Sequence, residues 1–287
     1  MSKKENPESE YRYLVLGASG VLGSRLFEFM KVTRTVAGTY FTRRIPGCIQ
    51  CDLTDPSSLR RVMEITKPDV ILHAAGMTRP DQCEANKDTA HRVNVDGIRF
   101  LAKESGDAKI LFFSTDYVFN GAKGRYSEDD IPCPINYYGK TKLEAERVLL
   151  DLRPDCVIAR VAGLFGISRW NREFFQTFTT KKTLMLSGDH ISSYTYIDDI
   201  CRVVPLLCSR RGILHVVGPD SFSRAEFGRL ACSYLGINAK VVPIPGTAAY
   251  PSVPRPLNSS LVSNRLKLAM TPIRSALLQI RNTVDNI

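Results

Sequence analysis

The sequence predicts an α/β fold in which a doubly wound parallel sheet is joined to a smaller, discontinuous C-terminal domain. Short apolar runs alternate along the chain with segments whose apolar residues recur at helical spacing. A glycine-rich turn connects the first run to the first helix, and the regular alternation weakens after Gly166. Continuous apolar strands that alternate with helices are typical of a parallel sheet covered on both faces.

Each element has its own signal. Leu22, Leu26 and Met30 share one face of a helix that follows directly on the first strand, and Pro56 stands at the first position of the next helix. Turn-forming residues in 116–136 predict a long loop at the carboxyl edge of the sheet, and 241–256 is predicted to be irregular because it is rich in proline. The predicted strands span 13–16, 35–41, 48–53, 69–75, 109–114, 156–161 and 213–217, and the predicted helices span 21–30, 56–66, 84–104, 136–152 and 223–235.

The composition is that of a globular protein, since 44% of the 287 residues are hydrophobic and 24% are charged. No apolar stretch approaches roughly 18 residues and the N-terminus is polar, so we expect a cytoplasmic protein without membrane contact. The net charge of +10 is scattered in runs no longer than pairs, which favours phosphorylated ligands over nucleic acid. Cys48 and Cys51 would point to opposite faces of a strand, so neither a redox nor a metal site is expected there.

A phosphate-binding turn is predicted immediately after the first strand. Gly17, Gly20 and Gly23 stand at relative positions 1, 4 and 7, where they allow a tight turn, close approach of a pyrophosphate and packing of the helix on the strand. The N–H groups at the start of the helix favour an anion. This pattern between a strand and a helix predicts a Rossmann-type dinucleotide site; an incidental turn is the alternative. We assign to the cofactor Gly17, Ser19, Gly20, Val21, Leu22 and Gly23.

The segment after the second predicted strand bears on the choice of dinucleotide. NAD-binding proteins of this kind usually carry an acidic residue about 20 residues beyond the glycines. Here the segment contains Arg43 and Arg44 and no carboxylate, which favours NADP(H) over NAD(H), although a solvated pair of charges is the alternative. Asp52 and Leu53 are placed to meet the adenine, and Asp52 could instead cap the helix that begins near Pro56.

Acid–base chemistry is indicated by Tyr138 and Lys142. Their spacing of four residues places both side chains on one face of a helix, and a neighbouring ammonium is expected to lower the pKa of the phenol. Ser114 and Thr115, at the end of the fifth predicted strand, offer hydroxyl groups that could orient a substrate oxygen. A chance Tyr–Lys pair on a helix surface and a simple capping role for the two hydroxyls are the structural alternatives.

These motifs occur in the order typical of the extended short-chain dehydrogenase/reductases, and the resemblance covers residues 12–280. The run Ser-Thr-Asp-Tyr-Val-Phe at 114–119 and the later segment 255–261 resemble the dTDP-4-dehydrorhamnose reductase branch, whose members are sugar-nucleotide 4-ketoreductases. The motifs that carry the resemblance are Gly17-x-x-Gly20-x-x-Gly23, His73-Ala74-Ala75-Gly76, Asn94-Val95, Ser114-Thr115-Asp116-Tyr117-Val118-Phe119-Asn120-Gly121 and Tyr138-Gly139-x-x-Lys142.

The resemblance implies the reduction of the 4-keto group of a nucleotide-linked 6-deoxy-4-hexulose by NAD(P)H, in deoxysugar biosynthesis, with a homodimer left open. From the residue pattern, 1–11 are predicted to form a solvated tail, 12–162 the dinucleotide-binding domain with returns near 193–220 and 262–272, and 163–192 and 221–261 a smaller substrate-binding lobe. The implied catalytic residues are Thr115, Tyr138 and Lys142. The implied cofactor residues add Ala74, Ala75, Gly76, Asn94 and Ser114, and the implied substrate residues are Thr78, Asp116, Tyr117, Val118, Trp170, Arg255 and Asn258.

Two departures from the family pattern leave the substrate open. Residues 160–163 read Arg-Val-Ala-Gly, without the aromatic residue usual after the sixth strand, so Trp170 either substitutes for it or serves packing. Residues 188–195 also differ from the family pattern. The alternatives are another sugar-nucleotide enzyme of the superfamily, such as an epimerase or a dehydratase, and a non-catalytic NADP-binding subunit like the β subunit of methionine adenosyltransferase.

Overall fold

A computed structural model describes residues 12–167 and 181–284 of the chain, and as far as the sixth strand its strands alternate with helices except that the third strand follows the second directly. Every strand of the main sheet runs parallel to its neighbours. The strands are β1 Arg12–Leu16, β2 Thr35–Tyr40, β3 Ile49–Gln50, β4 Val70–His73, β5 Lys109–Thr115, β6 Val157–Val161, β7 Leu164–Phe165, β8 Thr183–Ser187, β9 Ile191–Ser193, β10 Thr195–Tyr196, β11 Gly212–His215, β12 Ser221–Ser223 and β13 Lys240–Ile244.

The helices begin where the sequence supplies capping groups. Asp55 accepts a hydrogen bond from the Ser57 N–H at the start of the second helix, and Asn136 accepts one from the Gly139 N–H before the longest helix. The described helices are α1 Val21–Lys31, α2 Pro56–Thr66, α3 Pro80–Ala85, α4 Lys87–His91, α5 Gly97–Glu104, α6 Tyr137–Leu152, α7 Ile197–Cys208, α8 Arg224–Tyr234, α9 Gly246–Ala249 and α10 Ile273–Val284, with a π-helical turn at Arg92–Asp96 and a 3-10 turn at Asp116–Val118.

The main sheet has seven strands in the order β11-β6-β5-β4-β1-β2-β3. After β1, the chain adds β2 and β3 on one side of it and then β4, β5, β6 and β11 on the other side. The strand order therefore reverses between β1 and β4. Leu14 of β1 is paired with Ala37 of β2 on one side and with Ile71 of β4 on the other. In open sheets of this kind, ligands bind in the crevice at the carboxyl ends of the strands where the order reverses.

The two faces of the sheet carry separate apolar cores, because side chains alternate along each strand. Val15 and Leu111 face a cluster that includes Leu26 of α1 and residues of α7. Leu14 and Ile110 face the opposite cluster, which includes residues of α2, α5 and α6. Helices thus cover both faces, and the predicted doubly wound parallel sheet is confirmed.

A smaller set of elements packs around a third core. β8 pairs with β13 in parallel and β9 pairs with β12 in antiparallel fashion. Tyr194 stacks on Phe227 of α8 with ring centroids 4.2 Å apart, and Phe165 meets Phe227 edge-on. Ser223 and Glu226 form a reciprocal capping box at the start of α8. The predicted limits of the two domains stay a prediction.

Three local predictions are wrong. The strand predicted over 48–53 has only two residues in the sheet, Ile49–Gln50. The single helix predicted over 84–104 is divided, because Asn86 has φ −132° and ψ 63°, which are not helical, and because a π-helical turn precedes α5. The stretch 241–256 is not wholly irregular, since β13 and α9 lie largely within it. Within the described ranges, none of the helices has the length and apolar character needed to cross a membrane.

Candidate active site

The glycine turn after β1 forms a narrow cradle. Gly17 has φ +85°, a conformation that favours glycine, and a Cβ atom there would lie 2.8 Å from the Ala75 Cα. A Cβ on Gly23 would lie 2.1 Å from the Gly17 carbonyl oxygen, so Gly23 holds α1 against the turn. Gly20 caps α1 without a side-chain acceptor. The first N–H groups of the helix therefore face an anion site made of backbone atoms.

A cleft of about 710 Å³ runs from this turn along the carboxyl ends of the strands. It brings together predicted residues that are far apart in the chain, and it adds Phe41, Met77 and Arg92, which the sequence did not indicate. The predicted site residues that line it are Gly17, Ser19, Gly20, Val21, Leu22, Asp52, Leu53, Ala74, Ala75, Gly76, Thr78, Ser114, Thr115, Asp116, Tyr138 and Lys142.

Several predicted cofactor residues do not line the cleft. Gly23 lies behind the turn, and Arg43 and Arg44 lie beyond Phe41, the last lining residue of that segment. Asn94 does not line the cleft but hydrogen-bonds the backbone of Met77, which does. Its Oδ1 accepts the Met77 N–H at 2.8 Å, and its Nδ2 donates to the Met77 carbonyl at 3.0 Å. Asn94 therefore shapes the loop after β4.

Asp52 does not cap α2, because Asp55 does. The Asp52 carboxylate accepts instead from the backbone N–H and the hydroxyl of Thr54, both at 2.8 Å. It fixes the loop that follows β3 and remains at the wall of the cleft.

Thr115, Tyr138 and Lys142 converge at the inner end of the cleft. The Thr115 hydroxyl lines the cleft beside the Tyr138 phenol and donates to the Asp116 carboxylate at 3.2 Å, and enclosure of the phenol raises its pKa above the usual value. The Lys142 ammonium donates to the Phe113 carbonyl at 2.8 Å, and burial lowers the pKa of Lys142 to about 7. The expectation that Lys142 lowers the pKa of Tyr138 is wrong here, because burial dominates and the amine is directed to the carbonyl.

A buried ion pair that the sequence analysis missed adjoins this site. Glu146 and Arg160 make a two-point contact, and the Ser114 hydroxyl donates to the same carboxylate at 2.5 Å. Arg160 is almost wholly enclosed within the apolar strand β6. A charged residue in such a strand is the signal that could have indicated a buried partner.

A second cavity, of about 530 Å³, meets the first at Tyr138 and Thr78. Arg224 and Arg255 line it, and their guanidinium carbons lie 5.6 and 5.0 Å from the centroid of the Tyr250 ring. Arg255 is 8% exposed and forms an ion pair with Asp81. Arg224 was missed because α8 is distant in sequence from every recognised motif. The cavity offers two cations and an aromatic ring beside the phenol.

The predicted substrate residues are only partly assembled around this space. Tyr117 lines the second cavity, and Asp116 and Tyr117 line a third of about 400 Å³ next to it. The Asp116 carboxylate accepts the Ser192 hydroxyl at 3.2 Å and also the Ser259 hydroxyl, so it links the end of β5 to the smaller set of elements.

Two other predicted substrate residues lie elsewhere. Val118 is fully buried in a cluster with Phe119 and Leu143, so it packs in the core and does not line a described cavity. The Asn258 carboxamide accepts the Ser260 hydroxyl at 2.7 Å and lies against Gly124, where it fixes a loop. Trp170 lies outside the described residues. His190 is buried, and its ring contacts the Ser187 hydroxyl at 2.7 Å.

The fold and this site define an extended short-chain dehydrogenase/reductase. A family model described as the RmlD substrate binding domain matches residues 11–287, and the chain belongs to this family.

Three similar proteins illustrate the range of the family. Methionine adenosyltransferase 2 subunit beta of Danio rerio is 32% identical over 286 aligned residues, which cover 93% of this chain and 88% of that protein. The dTDP-4-dehydrorhamnose reductase of Aggregatibacter actinomycetemcomitans is 32% identical, with 90% and 92% covered. The crystal structure of dTDP-4-dehydrorhamnose reductase from Bacillus anthracis, in complex with NADP, superposes with a TM-score of 0.86 at 27% identity, with 96% of this chain and 99% of that chain covered.

Proposed function

We propose that this protein uses NADPH to reduce the 4-keto group of a nucleotide-linked 6-deoxy-4-hexulose. One observation carries the proposal: Tyr138 lines both the dinucleotide cleft and the adjoining cavity with two arginines. A proton donor at that junction can serve a reaction between a ligand in the cleft and a ligand in the cavity. The reductases among the similar proteins support the choice of chemistry.

The cleft fits a nicotinamide dinucleotide. The glycine turn is so close to Ala75 that a side chain would fill it, and the start of α1 offers N–H groups to a pyrophosphate. Phe41 adds an aromatic side chain at the β2 end, and Arg43 and Arg44 follow it in the chain. The NADP bound to the Bacillus anthracis protein supports this class of cofactor.

The preference for NADPH can be measured directly. An Arg43→Ala/Arg44→Ala variant should bind NADP⁺ about tenfold or more weakly and NAD⁺ with unchanged affinity, because the 2′-phosphate is the group that guanidinium side chains would recognise. Fluorescence titration gives both constants, and Lys181→Ala/Lys182→Ala is the control that removes the same charge elsewhere. Equal effects of the arginine changes on both dinucleotides would contradict the assignment.

The chain's own residues account for the proton. A reduced nicotinamide held in the cleft would supply the hydride for the ketone carbon. The raised pKa of Tyr138 keeps its phenol protonated at neutral pH, so Tyr138 can donate to the developing alkoxide, while the Thr115 hydroxyl holds the same oxygen. Arg224 and Arg255 would bind the diphosphate of the substrate, since guanidinium groups match phosphate oxygens.

Tyr138→Phe tests this role. Oxidation of NADPH is followed by absorbance with a panel of dTDP- and GDP-linked 4-keto-6-deoxy sugars. The variant should lose about 100-fold or more in kcat, the contribution of a general acid, and keep its affinity for NADPH. Tyr137→Phe is the matched control, because Tyr137 is directed to Lys87 and does not line the cleft. Substantial turnover by Tyr138→Phe would exclude the assigned role.

A second candidate function is supported by the similarity to methionine adenosyltransferase 2 subunit beta. In that case the protein would bind NADP(H) and a methionine adenosyltransferase catalytic subunit without reducing a sugar. Tight NADPH binding, no oxidation with any sugar of the panel, and co-elution with such a subunit in size-exclusion chromatography would together favour this function over the reductase.

A further inference from the structure

A buried carboxylate next to Lys142 accepts hydrogen bonds from three donor atoms of two side chains. Glu146 follows Lys142 by one turn of α6, and its side chain is 1% exposed. Arg160 Nε lies 3.0 Å from Glu146 Oε1 and Arg160 Nη2 lies 2.7 Å from Oε2, so the guanidinium occupies both oxygens. The Ser114 hydroxyl donates to Oε1 at 2.5 Å. The carboxylate is therefore fully engaged from β5 and β6.

Among the described residues, the Arg160 guanidinium donates its hydrogen bonds to the Glu146 carboxylate. Its remaining nitrogen, Nη1, is buried and has no hydrogen-bond partner among the described residues. Its guanidinium carbon lies 5.2 Å from the centroid of the Phe119 ring, which is a further weak attraction. Because arginine does not lose its proton in proteins, Glu146 must compensate a permanent positive charge.

Lys142 is held by neutral groups instead. Its Nζ donates to the Phe113 carbonyl and lies 3.8 Å from the centroid of the Phe112 ring. Of the ionisable groups around it, Glu146 favours its charged form and His73 of β4 is repelled by it. On the elements packed against α6, three ionisable groups raise the pKa of Tyr138 rather than affecting Lys142: Asp116, Tyr117 and Cys83.

The charges of this cluster do not balance when Lys142 is protonated. Two cations then share one carboxylate in a region where each of the three side chains is at most 5% exposed. Buried charges are costly unless they are paired, and Lys142 is the only one of the two cations that can release its proton.

We infer that Arg160 and Glu146 are positioning residues that set the charge and direction of Lys142. By occupying both oxygens of Glu146, Arg160 keeps the Lys142 amine out of an ion pair and leaves it directed to the Phe113 carbonyl at the cleft. The catalytic meaning of this arrangement rests on the proposed function, whereas the control of charge does not.

Two single substitutions should move Lys142 in opposite directions. Glu146→Gln removes the attraction and exposes Lys142 to the Arg160 charge, so the pKa of Lys142 should fall. Arg160→Met releases the carboxylate to Lys142, so the pKa should rise. We expect about one unit in each case, a tenfold change in the protonation equilibrium. The double variant removes both charges, and its pKa should lie between those of the two single variants.

The measurement is the pH titration of the Lys142 Cε resonance by NMR in protein with ¹³C-labelled lysine. The resonance is assigned by its loss in Lys142→Met. Arg25→Met is the matched control, because it breaks the distant Arg25–Asp198 ion pair of 2.6 Å and should leave Lys142 unchanged. A merely structural role for Glu146 and Arg160 would not move this titration in opposite directions.

Breaking a buried pair is destabilising, so circular dichroism and thermal unfolding are recorded for every variant. If Arg160→Met does not fold, Arg160→Lys replaces it: an ammonium cannot occupy both oxygens, so the Lys142 pKa should rise. Shifts in the same direction for Glu146→Gln and Arg160→Met, or no shift in the folded variants, would overturn the inference. The titration needs neither substrate nor dinucleotide, so its failure is distinct from a failure of the reductase assay.

Discussion

His73 makes the stability of this protein depend on pH. It ends β4, is 3% exposed, and meets the Phe112 ring edge-on with centroids 5.4 Å apart. Neither of its ring nitrogens has a hydrogen-bond partner in the part of the chain that the structure describes. Burial, together with the charge of Lys142, lowers the pKa of His73 to about 3. The folded protein therefore keeps this ring neutral at any physiological pH.

The size of the effect follows from proton linkage. Below about pH 6.5 the unfolded chain binds a proton at His73 that the folded chain does not, so stability falls as the pH falls. The slope is about 1.4 kcal/mol per pH unit, and the loss from His73 alone between about pH 6.5 and 5 is about 2 kcal/mol. His73→Phe removes this loss, keeps a ring against Phe112, and eliminates two unpaired buried nitrogens.

Urea unfolding at about pH 7.5 and at about pH 5 tests this reasoning. The wild-type protein should lose about 2 kcal/mol more stability between the two conditions than His73→Phe does. His91→Phe is the control, because His91 is half-exposed beside Asp96 and Glu144, and it should keep most of the wild-type dependence. An equal loss of stability in the wild type and in His73→Phe would refute the buried neutral state of His73.

Three further substitutions test the framework of the site. Gly23→Ala places a methyl group against the Gly17 carbonyl, so we expect a loss of about 1–3 kcal/mol in thermal unfolding and weaker NADP⁺ binding by titration. Ser223→Ala removes the capping box of α8 and should cost about 1 kcal/mol in urea unfolding. Leu26→Ala leaves a cavity under the sheet and should cost about 2–5 kcal/mol in the same assay. A change within error for any of them would contradict the corresponding contact.

Local signals made much of the fold predictable from the sequence. The turn after β1 needs a positive φ at Gly17, and glycine is the residue type that favours this conformation, so the sequence itself indicates the turn. Asn136 and Ser223 mark the starts of two helices because their side chains satisfy the first N–H groups. The division of the 84–104 segment was not predictable in this way, since an apolar period continues through a π-helical turn.

The site was predictable where a motif is contiguous and unpredictable where it is assembled by folding. Tyr138 and Lys142 lie on one helix, so their spacing suffices. Glu146 and Arg160 are 14 residues apart and meet only because α6 packs on the sheet beside β6. Arg224 belongs to a different set of elements altogether. Its approach to Tyr250 depends on how those elements pack.

The dinucleotide cleft alone does not separate the two proposed functions, because a reductase and an adenosyltransferase subunit are both 32% identical to this chain. The adjoining cavity is the part of the structure that bears on the choice between these two functions. Arg224 and Arg255 approach the same ring from walls built by different elements, and although Arg255 is also paired with Asp81, guanidinium groups in such a cavity match the oxygens of a phosphate. Neither arginine lines the dinucleotide cleft, and their place beside the Tyr138 phenol suits the diphosphate-linked sugar proposed above. The cavity therefore supports the reductase.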